Sequence, residues 1–83
     1  MSPVFLREDG FRFKIYSNEE SRLHIHVIKG DCEAKYWLEP HIELACNYGF
    51  ARHELSRIEQ LINQHGNDFK EQFRRHIGKR LDD

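Results

Sequence analysis

The chain has 83 residues, with thirteen Lys+Arg against fourteen Asp+Glu and a net charge of −1 when histidine is neutral. A chain of this length makes a single domain over residues 1–83 and buries about 60–65% of its unfolded surface, enough for one thin core layer and no deep pocket. Six Phe, three Tyr and one Trp exclude disorder, and no apolar run approaches the ~20 residues of a membrane helix. The apolar stretch within Met1–Arg7 is too short for a signal peptide, so a cytoplasmic protein is expected.

From the N-terminus, Met1–Leu6 is a candidate edge strand, with Asp9-Gly10 as its turn. Phe11–Tyr16 alternates apolar and polar residues, the pattern of a half-buried strand. Ser17–Ser21 is a polar turn. Leu23–Ile28 alternates again, Lys29-Gly30-Asp31 turns the chain, and Ala34–Leu38 alternates a third time before Pro40 ends it. Ile42–Cys46 reads as a short fourth strand, which bounds the strand region at about residues 3–46. Cys32 and Cys46 have no CxxC spacing and are expected as reduced thiols.

From Ala51 the period changes. Leu55, Ile58, Leu61 and Ile62 form one stripe of an amphipathic helix, expected over 51–65, with Tyr48-Gly49-Phe50 as the hinge before it. Gly66 is placed to end that helix, and Asn67 to cap a second, short helix over 68–77 in which Phe69, Phe73, His76 and Ile77 share a face. Gly78 would end it. Arg74, Arg75, His76, Lys79 and Arg80 read as a solvated helix end whose cations favour the helix dipole. The expected fold is α+β: an antiparallel meander of three to five strands with one long and one short C-terminal helix packed on one face.

Strand parity sorts the side chains. Phe11, Phe13, Ile15, Leu23, Ile25, Val27, Ala34, Tyr36 and Leu38 make an apolar face for the helical stripe. The other face carries Arg12, Lys14, Tyr16, His24, His26, Glu33, Lys35 and Trp37, five basic or titratable cationic residues against one acid. The near-neutral total therefore conceals a cationic face, and protonating all six histidines would carry the chain from −1 to +5. A meander needs a solvated face, and long cationic stems cover apolar surface well, with Trp37 packing across the strands. The same residues also suit a contact surface, for RNA by phosphate pairing and base stacking or for an acidic protein. Arg12, Lys14, Tyr16, His24, His26, Lys35 and Trp37 are the candidate binding residues.

His24 and His26 project from one face about 6–7 Å apart. That spacing suits a shared metal completed by Glu33, His41 or a cysteine, but no second ligand pair has metal-site spacing, so no metal is assigned. A metal-binding structural or sensor module on His24 and His26 stays as one alternative. Another is a metal-independent ribonuclease: His24 or His26 takes a 2′-OH proton and Lys35, with Tyr16 nearby, stabilises the phosphorane. His24, His26 and Lys35 are then the candidate catalytic residues. No P-loop, dinucleotide glycine pattern or Ser/His/Asp order is present, and no cofactor is expected.

Tyr16-Ser17-Asn18-Glu19, His24-Ile25-His26-Val27, Gly30-Asp31, Glu33-Ala34-Lys35-Tyr36-Trp37-Leu38 and Asn47-Tyr48-Gly49-Phe50 stand in the order seen in a family of small bacterial proteins. Over about Val4 to Ile62 the chain resembles the domain of unknown function 4160 family. That resemblance implies a compact α+β domain and a presumed toxin–antitoxin component, encoded beside a second small protein. The chain departs from the family at Arg22-Leu23, where prolines are common, and at Ala51, where a Ser would cap the helix. His24, His26, Lys35 and Trp37 are the family-like residues on the polar face. The leading expectation is a toxin–antitoxin-type component that binds a cognate small protein encoded nearby, or RNA, through that face. A homodimer through a sheet edge is a further expected association.

Overall fold

The computed structural model describes residues 4–15 and 22–82, with side chains through residue 75. Tyr16, the 17–21 turn, Met1–Pro3 and the side chains of His76, Ile77, Lys79 and Arg80 lie outside the described residues. Five strands form one antiparallel meander in chain order: β1 (Val4–Glu8), β2 (Phe11–Lys14), β3 (His24–Lys29), β4 (Cys32–Trp37) and β5 (Glu43–Tyr48). One helix, α1 (Arg52–Asp82), follows. The architecture is α+β, with the strand at 42–46 lying slightly later in the chain.

The two-residue turn Asp9-Gly10 joins β1 to β2 with Glu8 opposite Phe11, and both turn residues have positive φ, 55° and 84°. That geometry matches the right-handed twist of the strands and favours an Asp-Gly pair. Registers Phe13↔Val27, Ile25↔Tyr36 and Val27↔Ala34 align the apolar face. It is buried together with Ile58, Leu61, Ile62, Phe69 and Phe73 of the helix.

Each edge strand carries a bulge. In β1, Val4 faces Lys14 and Leu6 faces Phe13, so Phe5 is the extra residue and both Phe5 and Leu6 turn toward the core. In β5, Cys46 faces Lys35 and Leu44 faces Tyr36, leaving Ala45 as the extra residue. Bulges of this kind break the regular ladder that an edge offers to another strand.

The short second helix is not formed. α1 runs unbroken through Gly66, whose φ is not positive, so Gly66 is no helix terminator and Asn67 no cap. A helix-interior glycine costs about 0.5–1 kcal/mol against alanine. Continuing the helix keeps Phe69 and Phe73 in phase with Ile58 and Ile62, and both phenyl rings are fully buried. Burying a Phe side chain is worth about 1.5–3 kcal/mol, so two of them outweigh one glycine.

The start of α1 compensates for its missing cap. Ala51 has no side-chain acceptor, but Glu54 reaches back and accepts from the Ala51 N–H at 3.0 Å, half of a capping box. Asn47 ties the connection from β5, accepting from the Phe50 N–H at 3.1 Å and donating to the Phe50 carbonyl at 3.0 Å. Gly49 between them has φ +102°, and a Cβ there would lie 2.9 Å from Cys32 Sγ, so the hinge requires glycine. Both cysteines are free thiols.

Tyr36 joins sheet to helix, its hydroxyl donating to Glu59 Oε2 at 3.0 Å. Burial, reinforced by the hydrogen bond to and the charge of Glu59, pushes its ionisation above the ordinary phenol value of 10.0.

Two outcomes follow. Gly66→Ala should raise stability by about 0.5–1 kcal/mol in urea unfolding, because nothing lies within 4 Å of the added Cβ and the backbone is helical. A loss of stability would mean that the helix ends there. Tyr36 holds its proton more tightly when folded, so its contribution is complete below pH about 10 and fades as pH rises toward the raised folded value. Urea midpoints measured across alkaline pH should show this decline in the wild type and a smaller one in Tyr36→Phe.

Candidate functional site

The face away from the helix is set by register. Arg7 stands opposite Arg12 on the first hairpin, Lys14 opposite His26, His26 opposite Lys35, and His24 opposite Trp37. Glu33 lies diagonal to His26, opposite Ile28 and Tyr48. The sheet therefore brings Arg12, Lys14, His24, His26, Lys35 and Trp37 together. Tyr16 is outside the described residues.

The two histidines are not solvated. His24 is 0% exposed and His26 7%. At the first position of β3, His24 meets Phe73 of the helix edge-on at 5.1 Å between ring centroids, with Trp37 at 6.0 Å and His26 at 5.3 Å. Strand parity assigns His24 to the polar face. It could not foresee that a helix aromatic would close over the end of the strand.

The tautomers follow from the partners. His24 Nδ1 lies 2.6 Å from the Arg22 carbonyl, which only accepts, so Nδ1 carries the proton. His26 Nδ1 lies 3.2 Å from Glu33 Oε2 and donates to it in the same way. A general base must come within hydrogen-bond reach of the proton it takes. His24 presents no surface to a substrate, so its geometry is that of a structural side chain. Among the described residues, no group of three or more His, Cys, Asp or Glu side chains is arranged to hold a metal ion.

What the face presents is aromatic and cationic. The guanidinium of Arg22 lies 4.0 Å from the Trp37 ring centroid and Lys35 Nζ lies 4.4 Å from it. Arg22 is held there by donating Nε and Nη2 to the Glu39 carbonyl, at 3.3 and 3.2 Å. Glu39 is itself tied to α1, its carboxylate 3.0 Å from Arg74 and 3.9 Å from Lys70. Arg22 is not among the candidate binding residues read from sequence. Extending the alternation two residues back from His24 would have found it. Arg7 and Tyr48 were missed as well, because each joins this face only through edge-strand register.

These contacts give His24 a packing role. His24→Ala should lower stability by roughly 2–4 kcal/mol in urea unfolding, the range for emptying a close-packed site. A variant as stable as the wild type would place His24 on the surface instead.

A family model described as Domain of unknown function (DUF4160) matches residues 10–74. No curated protein and no solved structure matches the chain. The matched span covers β2 to most of α1, and so includes Arg12, Lys14, Arg22, the buried histidines, Lys35 and Trp37. No helix among the described residues is long and apolar enough to cross a membrane.

Proposed function

The chain belongs to the Domain of unknown function (DUF4160) family, and on that premise we propose that it is a binding protein whose open sheet face engages an acidic segment of a partner protein. The observation that carries this reading is Trp37 with two cations over its ring. Trp and Arg are the usual anchors of protein interfaces, and a guanidinium already stacked on an indole is pre-ordered for a carboxylate. Cation–aromatic contact also keeps Arg22 and Lys35 near one another, so a partner carboxylate meets concentrated positive charge.

The finer reading is a small bacterial toxin–antitoxin-type component paired with a small protein encoded beside it. RNA is the competing partner, since stacked aromatics and cations also hold single strands. The sheet favours protein because its one indole already carries Arg22 and Lys35 against its ring, leaving less ring for a base to stack on. The ribonuclease reading rests on His24, His26 and Lys35, and the enclosure of His24 supports binding over cleavage.

Co-expression with the product of the adjacent gene tests the proposal. Wild-type protein should co-purify with it, and Trp37→Ala or Arg22→Gln should weaken the complex about thirtyfold or more while still unfolding cooperatively. Undiminished affinity in both variants, or selective recovery of RNA in place of protein, would overturn it.

A further inference from the structure

The β1–β2 hairpin sorts its charges by face. Glu8 and Asp9 turn to the helix, where Arg57 Nε lies 2.6 Å from Asp9 Oδ2 and Arg57 Nη2 3.6 Å from Glu8 Oε2. His65 Nε2 approaches Glu8 at 3.9 Å. Arg7 and Arg12 turn the other way. They are direct cross-strand partners, both exposed, and among the described residues neither makes an ion pair. Directly opposed residues hold their Cβ atoms about 4.5–5.5 Å apart, and like charges in that relation are destabilising. The hairpin thus sets two arginines directly opposite one another with their nearest sequence acids paired to the helix. Lys29, whose Nζ lies 4.9 Å over the Phe11 ring, sits on the opposite, helix-side face of the hairpin. An open depression of about 330 Å³ is lined by Arg7, Arg12 and the hairpin residues between them, with Glu8 and Asp9 paired to Arg57.

We propose that Arg7 and Arg12 form a site for a phosphate dianion, either inorganic phosphate or a phosphomonoester group on a larger molecule. A guanidinium presents paired N–H donors that match phosphate oxygens, and two arginines paired across a two-residue hairpin can both reach one tetrahedral group. Charge selects the class. A phosphomonoester carries about −1.5 to −2 at neutral pH, balancing two guanidinium charges, whereas a carboxylate or phosphodiester brings only one negative charge. The site shares the sheet face of Trp37 but lies four residues away along β3, since Arg12 pairs with Ile28 and Trp37 with His24, and it does not depend on the partner.

Inorganic phosphate is the first probe, followed through the Arg Nε–H signals by NMR with sodium chloride of equal ionic strength and acetate as controls. Phosphate should shift the Arg7 and Arg12 signals saturably, leave those of Arg74 and Arg75 unmoved, and raise the melting temperature. Arg7→Gln and Arg12→Gln should each melt slightly higher than wild type without phosphate, because the repulsion is gone, and lose the phosphate-induced rise. Trp37→Ala should keep that rise, so this site and the partner surface can fail independently. A nucleoside monophosphate and a phosphoserine peptide form two further arms, and tighter saturation by either identifies the molecule that carries the group. Shifts no larger than those in chloride, or a phosphate-induced rise retained in either arginine variant, would overturn the site.

Discussion

The stacking of Phe69 on Phe13, with ring centroids 5.4 Å apart, governs much of this fold. It commits the helix to one continuous stripe, because Phe69 reaches the sheet only if the helix runs straight through Gly66. Phe5 adds to the same cluster at 6.4 Å and Phe11 packs on both Phe13 and Phe50. With one thin core layer available, these aromatics supply much of the buried area, since each large ring removes far more surface from water than an aliphatic side chain. Two polar clamps hold the helix in register with the sheet: Arg57 on Glu8 and Asp9 at one end, Arg74 and Lys70 on Glu39 at the other.

Those clamps also explain the distribution of charge. Acids at the turns are drawn to the helix by its basic residues, and the cations left on the strands face away. A chain of net charge −1 thereby displays Arg7, Arg12, Arg22 and Lys35 on one side of its sheet. Screening limits long-range fields to about 8–10 Å at physiological salt, so this local grouping matters more to a partner than the total. Helix cover stops short of β5: Leu44, opposite Tyr36 on the helix side, remains 39% exposed, and Tyr48 on the other side 67%.

The alternation of Phe11–Ile15, Leu23–Ile28 and Ala34–Leu38 made three strands and their inward faces legible without any structure, because a pleated strand sends successive side chains to opposite sides. The Asp9-Gly10 turn and the Gly49 hinge were legible for a related reason, as both positions need a backbone that few residues tolerate. Gly66 was misread because a glycine before an Asn is a good local stop signal, and local signals do not register the two phenyl rings beyond it. The bulges at Phe5 and Ala45 were equally invisible, since an extra residue in a ladder is a property of two strands together.

At the candidate site the division is sharper. Composition and parity by themselves determined that Arg12, Lys14, Lys35 and Trp37 share a face, a consequence of the two-residue strand repeat alone. Tertiary structure decided that His24 is enclosed beneath Phe73, a residue 49 positions away along the chain, and that Arg22 stacks on Trp37 through its hold on Glu39. It also decided that Arg7 stands across from Arg12. Side-chain direction is local, fixed residue by residue along a strand. Burial and pairing depend on which distant residues the fold brings alongside.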